Sequence, residues 1–140
     1  MKTSHIKVLQ LNSSNADFET KSLELRTTVN YNKSDVVLIS ESNMDTKSQE
    51  KLDNRAKDFP DYKFMDKTID GHSKARMTVM VSNDTKFERL EKLEDNINPL
   101  IVFRVKDAKN KWTNCISAYR QWNDPNDGKQ SDTEAINSQV

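Results

Sequence analysis

The feature that most constrains this chain is a run of four consecutive large apolar residues, Val36-Val37-Leu38-Ile39. Successive side chains of a strand point to opposite faces of its sheet, so an unbroken apolar run is typical of a strand covered on both faces. The charged residue Glu41 follows two positions after the run. The sequence therefore predicts a central buried strand with a carboxylate at its C-terminal end.

The other elements predict an α/β fold, an α+β layered sandwich in which a mixed sheet of about six strands carries two helices on one face. Residues 6–11 are apolar and β-branched and too few for a helix, so they predict a second buried strand that ends at Asn12. Helical spacing of apolar residues predicts a first helix over 17–31. A second helix is predicted to begin at a capping box formed by Thr46 and Gln49 and to end at residue 59, before Pro60. The remaining strands are predicted over 62–65, 76–81, 100–105 and 112–119, with 86–93 as a possible edge strand.

This arrangement leaves one face of the sheet without a cover. Both helices fall early in the sequence and are expected on one side, so the other apolar face needs a partner layer that the chain is not expected to contain. The predicted core consists of Val8, Leu9, Leu11, Phe18, Leu25, Val37, Leu38, Ile39, Leu52, Phe59, Val79, Val81, Ile101, Phe103 and Ile116. We expect a half-built domain whose open face drives self-association or binds a missing C-terminal half.

Composition excludes several classes of function. The chain has 22 Lys and Arg against 22 Asp and Glu, so bulk positive charge does not hold it to nucleic acid. Its two glycines, Gly71 and Gly128, are too few for a glycine-rich phosphate loop. The single cysteine, Cys115, cannot form an intrachain disulfide, and no apolar run approaches the ~20 residues of a membrane span. We expect a soluble intracellular protein with no membrane partner.

The sequence divides into two parts. Residues 1–122 contain all the predicted helices and strands and form the predicted half-domain. Residues 123–140 hold Pro125, Gly128 and many polar residues with almost nothing to bury, so we expect a polar, disordered tail.

The candidate site lies at the ends of the first two strands. Neighbouring parallel strands would bring Asn12 and Glu41 to the same edge of the sheet, where α/β proteins build their sites. A carboxylate beside an amide suits a hard cation such as Mg²⁺, although polar residues also end strands in proteins without any such site. Position alone leaves both interpretations open.

The segments 6–12, 34–41, 76–81 and 116–122 together resemble the opening half of the endonuclease/exonuclease/phosphatase superfamily, and most closely its retroelement-encoded branch. In that family the first strand ends in Asn, the second in a metal-binding Glu, and a later strand in a Tyr at the rim of the active site. The resemblance implies catalytic roles for Asn12, Glu41 and Tyr119, with Glu41 and Asn12 as the metal-binding pair.

What the resemblance implies is a DNA endonuclease that cleaves phosphodiester bonds with Mg²⁺ or Mn²⁺. Arg120, next to the tyrosine, is a candidate phosphate ligand. The family's later Asp-x-Asn and Asp-His motifs have no counterpart after Trp122, and His5 and His72 lie outside the matched motifs. We therefore expect a truncated domain that binds metal weakly and is inactive alone. The alternatives are a non-catalytic interaction module or a decayed retroelement fragment that uses its exposed sheet face.

Overall fold

The structure is a computed structural model that describes residues 5–13 and 16–119. Strand β1 spans Val8–Asn12, helix α1 spans Phe18–Asn32, β2 spans Val36–Met44 and α2 spans Gln49–Asp58. The chain continues with β3 (Tyr62–Lys67), β4 (Ala75–Ser82), β5 (Phe87–Arg89), a single 3-10 turn (Glu91–Leu93), β6 (Leu100–Lys106) and β7 (Trp112–Ala118). The predicted tail, 123–140, lies outside the described residues.

The described strands form two sheets rather than one. The first sheet has the order β1-β2-β4-β3, in which β1 and β2 are parallel and the other pairs antiparallel. The second sheet is antiparallel, with the order β5-β6-β7. The α/β layered class and the two helices are therefore confirmed, but the seven described strands are divided between two layers.

The helices cover one face of the first sheet. Phe18, Leu25 and Val29 of α1 pack with Val37 and Ile39 of β2. The N-cap of helix α2 is Ser48, whose side chain accepts a hydrogen bond from the amide of Lys51, so the predicted cap at Thr46 is wrong by two residues. The predicted placement of both helices on one side of the central strand is confirmed.

The opposite face of the first sheet is covered by the second sheet, which corrects the expectation that the chain lacks this layer. Val36, Val79 and Val81 pack against Ile101 and Phe103 of β6 in a second buried cluster. Every second residue of β6, namely Ile101, Phe103 and Val105, belongs to this cluster, as expected for a strand with one face on a core. The central strand β2 is thus sandwiched, as its apolar run predicts.

Two predicted core residues lie at the surface instead. Val8 is 51% exposed on the edge strand β1, and Ile116 is 67% exposed on β7. On β7 the side chains that turn toward the core are those of Cys115 and Ser117, so Ile116 points to the outer face of the second sheet. Burial raises the pKa of the Cys115 thiol.

A buried ionic cluster joins the two sheets. The Glu94 carboxylate accepts hydrogen bonds from Lys67 Nζ of β3 at 3.3 Å and from Arg89 Nη2 of β5 at 2.8 Å. Its other oxygen accepts from the amide of Val102 at 3.1 Å. Because the partners belong to different layers, this carboxylate ties the first sheet to the second.

Candidate functional site

The end of β1 lies beside the middle of β2 at one edge of the first sheet. Strand β2 continues to Met44, so the prediction that Glu41 stands at the C-terminal end of its strand is wrong by three residues. Asn12 pairs in register with Ser40, and the amide of Ser13 donates to the Ser40 carbonyl at 3.2 Å. Asn12 and Glu41 therefore lie on adjacent parallel strands at the same end of the sheet. This confirms that the two strands are parallel neighbours, while the metal-binding role of Asn12 and Glu41 stays a prediction.

Glu41 lies on an irregular part of β2. The pairing with β4 shifts between Ser40 and Met44, and both Glu41 and Asn43 have a left-handed backbone, with φ of 55° and 48°. A non-glycine residue in this region costs roughly 1–3 kcal/mol, and such residues cluster at functional sites. The bulge turns the Glu41 side chain out of the regular alternation of the strand.

Tyr119 bonds directly to the Glu41 carboxylate. Its hydroxyl donates a hydrogen bond to Glu41 Oε1, and its own amide donates to the Pro99 carbonyl at 2.9 Å. The hydroxyl of Ser13 in turn donates to the backbone carbonyl of Glu41. The structure thus brings together Glu41 and Tyr119, two residues 78 positions apart, and adds Ser13, which sequence reasoning missed.

A hydrogen-bonded network of polar side chains links the bulge to helix α2. Ser42 Oγ lies 3.3 Å from the Ala75 carbonyl oxygen and 2.9 Å from Thr78 Oγ1. Thr78 donates to Asp66 Oδ1 at 2.7 Å, and Arg55 binds both oxygens of that carboxylate. These contacts connect helix α2 to the strand that carries Glu41.

A groove of about 320 Å³ runs past these strand ends, between the two sheets. Its lining includes Asn12, Ser40, Met77, Ser117 and Tyr119. A wider depression of about 660 Å³ lies at the opposite end of β2, lined by residues that include Asp35 and Tyr62. The smaller groove is the better candidate because it contains two of the residues that the sequence predicts for the site.

The oxygen donors at this edge fit a hard cation that keeps most of its water. Tyr119 occupies Glu41 Oε1, so Oε2 is left as a carboxylate oxygen for a metal, and the Asn12 amide is on the neighbouring strand. Within residues 5–13 and 16–119, no group of three or more His, Cys, Asp and Glu side chains could hold a metal by itself. A single carboxylate is compatible with Mg²⁺, which binds through one or two carboxylates with waters and phosphate oxygens completing its octahedron.

Two arginines remain to be placed relative to this site. Arg120, the predicted phosphate ligand, lies outside the described residues. Arg76 was not predicted, yet its guanidinium carbon lies 6.0 Å from the centre of the Tyr119 ring. The sequence offered no signal for it, since its proximity to the tyrosine depends on how the two sheets pack.

In the described part of the chain, no helix is both long and apolar enough to cross a membrane.

Solved structures with the endonuclease/exonuclease/phosphatase fold are similar to this chain. The endonuclease domain of TRAS1, a telomere-specific non-LTR retrotransposon, is 16% identical, with a TM-score of 0.61 over 96% of this chain. A humanized TDP2 of D. rerio is 14% identical, with a TM-score of 0.66 over 98% of this chain. The mannosyl-6-phosphatase Bt3783 of Bacteroides thetaiotaomicron is 15% identical, with a TM-score of 0.53 over 80% of this chain.

The chain spans about half the length of these structures: 53% of the TRAS1 domain, 56% of TDP2 and 49% of the phosphatase. No protein-family model matches the sequence, and no curated protein matches it significantly. The resemblance seen in the sequence is therefore confirmed as a likeness of fold.

Proposed function

We propose, from the premise that this chain has half of an endonuclease/exonuclease/phosphatase fold, that it carries the metal-binding part of a phosphodiesterase site of the retroelement endonuclease type. The observation that carries this proposal is the Tyr119–Glu41 hydrogen bond, formed at the edge of the sheet where Asn12 also lies. The three residues to which the sequence resemblance assigns a role thus come to one edge from the end of β1, the bulge of β2 and the position after β7. DNA is the proposed substrate of the full-length protein.

Each residue has a separate proposed role. Glu41 Oε2 binds Mg²⁺ or Mn²⁺, and Tyr119 fixes the carboxylate by holding Oε1. Asn12 orients a phosphate or a second ligand from the neighbouring strand, and Arg120 remains a candidate phosphate ligand. When bound, the divalent ion would stabilise negative charge on a phosphoryl oxygen. Ser13 holds the Glu41 backbone, so the left-handed geometry of the bulge is retained.

Calorimetric titration with MgCl₂ tests this assignment. The parent is expected to bind Mg²⁺ weakly, at about millimolar concentrations, because one carboxylate and one amide make a sparse oxygen site. Glu41→Gln should abolish the binding. The matched control is Glu50→Gln, which removes the same charge from an exposed position in the first turn of α2 and should bind as the parent does. Equal binding by Glu41→Gln and the parent would remove the proposed function.

A second candidate function is a non-catalytic interaction module. The outer face of the second sheet favours it, since Ile116 is 67% exposed there and Trp112 is 41% exposed. The proposed occupant is a segment equivalent to the half of the matched structures that this chain does not span. A retroelement fragment that has lost its catalysis would present the same face.

Sedimentation velocity tests the second candidate. When no partner segment covers the outer face of the second sheet, two copies of the chain should associate through it. Ile116→Lys should return the protein to a monomer because it places a charge in that contact. The control is Leu23→Lys, which changes an exposed apolar residue on α1. A parent that stays monomeric at high concentration would contradict this alternative.

A further inference from the structure

Arg76 lies directly across from the bulge that carries Glu41. Ser40 pairs with Met77 and Met44 pairs with Ala75, so Arg76 of β4 stands opposite the irregular residues 41–43 of β2. Its guanidinium carbon is 6.0 Å from the ring centre of Tyr119, whose hydroxyl bonds to the Glu41 carboxylate. Arg76 therefore borders the same edge of the sheet as the proposed metal ligand.

Arg76 differs from the other four arginines that the structure describes, because it has no acidic partner among the described residues. Arg26, Arg55, Arg89 and Arg104 each form an ion pair with a carboxylate at 2.6–3.3 Å. Arg76 forms none within the described part of the chain, although its side chain is only partly exposed to solvent. Among residues 5–13 and 16–119, no carboxylate therefore neutralises this cation.

One nitrogen of this guanidinium also lacks a hydrogen-bond acceptor. Arg76 Nε is buried and, like Arg55 Nε, has no partner among the described residues, but Arg55 is bound by Asp66 through its two terminal nitrogens. Buried donors in native proteins are nearly always satisfied, so an orphaned one calls for an explanation such as an absent ion or ligand. Nε is closed to solvent, so an anion would bind this partly exposed guanidinium through its terminal nitrogens and neutralise its charge there.

We propose that Arg76 binds a phosphate oxyanion of the substrate beside Glu41, through the two terminal nitrogens of its guanidinium. The proposal rests on the proposed function, because it places the phosphate next to the metal ligand. Phosphate matches the planar fork of arginine with two parallel hydrogen bonds, and the Tyr119 ring positions the guanidinium. Without this cation, the Glu41 carboxylate would repel the phosphate until a metal bound.

The phosphate could belong to a diester, as in DNA, or to a monoester, because the similar structures include both an endonuclease and a phosphatase. Two probes separate these sources. A fluorescent duplex of about 12 base pairs with hydroxyl ends contains only diesters, and inorganic phosphate represents the monoester. Binding of the duplex is measured by anisotropy and binding of phosphate by calorimetry, each with Mg²⁺ and with EDTA.

The variants are Arg76→Ala, Arg76→Lys and Arg104→Ala. Arg104 is the matched control because it also lies over an aromatic ring, that of Trp112 at 4.3 Å, but it is paired with Glu88. Arg76→Ala should weaken binding of at least one probe about tenfold, with partial rescue by Arg76→Lys, while Arg104→Ala stays within about twofold. Loss of one phosphate contact should also reduce the salt dependence of duplex binding by about one unit of slope.

The outcomes are distinct. Weaker binding of the duplex assigns Arg76 to a diester, weaker binding of inorganic phosphate assigns it to a monoester, and weaker binding of both supports the shared oxyanion. Equal effects of Arg76→Ala and Arg104→Ala would overturn the inference, as would a parent that binds neither probe. If Glu41→Gln retains Mg²⁺ binding but Arg76→Ala loses the probe in EDTA, the proposed function fails and the anion site stands. Thermal unfolding of each variant shows whether a loss comes from misfolding.

Discussion

Arg55 binds the carboxylate of Asp66 with both terminal nitrogens, at 2.8 and 2.9 Å, while its guanidinium carbon lies 4.0 Å from the ring centre of Phe64. The arginine side chain is only 6% exposed. Two opposite charges therefore lie together in the space between helix α2 and the first sheet. Asp66 also accepts a hydrogen bond from Thr78, so this pair is the base of the network under the Glu41 bulge.

Removal of one partner from this pair should strongly destabilise the protein. Asp66→Ala leaves the Arg55 charge buried without compensation, and we expect a loss of about 3–5 kcal/mol in the free energy of unfolding. Arg26→Ala is the control, because Arg26 pairs with Asp58 at the surface and should contribute less than about 1 kcal/mol. Urea denaturation monitored by circular dichroism measures both. Equal losses for the two variants would contradict the buried role of the Arg55–Asp66 pair.

Ile39 should be among the residues whose truncation costs most. It is fully buried in β2 and packs against the helices that cover the first sheet. Ile39→Ala should lower the free energy of unfolding by about 2–5 kcal/mol, because it removes buried surface and leaves a cavity. Val8→Ala on the exposed edge of β1 is the control and should cost under about 0.5 kcal/mol. A loss below 1 kcal/mol for Ile39→Ala would show that β2 is not central to the core.

Glu94→Gln should loosen the contact between the two sheets. The substitution leaves Lys67 and Arg89 without their shared anion, and we expect a loss of about 3 kcal/mol in the free energy of unfolding. Glu91→Gln serves as the control, since Glu91 lies on the adjacent 3-10 turn with its side chain largely exposed. Denaturation at pH 7 compares the two. An equal effect of both variants would mean that the buried cluster does not tie the layers together.

The same cluster predicts that acid lowers stability. Burial alone would raise the pKa of Glu94, but hydrogen bonds from Arg89 and from the Val102 amide hold it below its ordinary value of 4.5. The unfolded chain therefore takes up a proton at a higher pH than the folded protein does. The contribution of Glu94 is complete above about pH 4.5 and is lost as the pH falls through the lowered value. Between pH 6 and pH 3, unfolding free energies should fall less steeply in Glu94→Gln than in the parent.

We expect the chain alone to leave phosphodiester bonds intact. General-base activation of water typically contributes 10²–10⁴ in rate. Neither histidine is placed to supply it. His5 lines the depression at the opposite end of β2, and His72 lies in the loop before β4. Incubation with Mg²⁺ or Mn²⁺ and supercoiled plasmid, abasic duplex and single-stranded DNA measures cleavage. Nicking that disappears in Glu41→Gln would contradict this prediction.

The sequence was sufficient to predict the parts of the fold that depend on apolar patterning. The run Val36–Ile39 predicts a strand covered on both faces, and the structure places helices on one face and β6 on the other. It could not show that β6 belongs to a second sheet, because alternation reports which side chains are buried and not which strands are neighbours. Ile116 was misplaced because β7 turns Cys115 and Ser117 inward, against the hydrophobicity of its residues.

The site was predictable only where it depends on strand ends. Asn12 and Glu41 could be predicted because each comes just after an apolar run that forms a strand, and Tyr119 could be predicted from the family resemblance. The left-handed backbone of Glu41 has no local signal, since glutamate has no preference for that region. The position of Arg76 beside Tyr119 depends on long-range packing between layers, which propensity and periodicity do not encode.

The half-buried thiol of Cys115 makes the boundary between the two sheets chemically observable. Burial raises the pKa of this thiol, so little reactive thiolate is present while β7 packs on the core. Any opening of that layer exposes the sulfur and returns the pKa to its ordinary value. Because the chain has one cysteine, the rate at which a thiol reagent labels it follows this single event. The protein thus contains its own reporter for the detachment of the second sheet, distinct from the unfolding of the whole molecule.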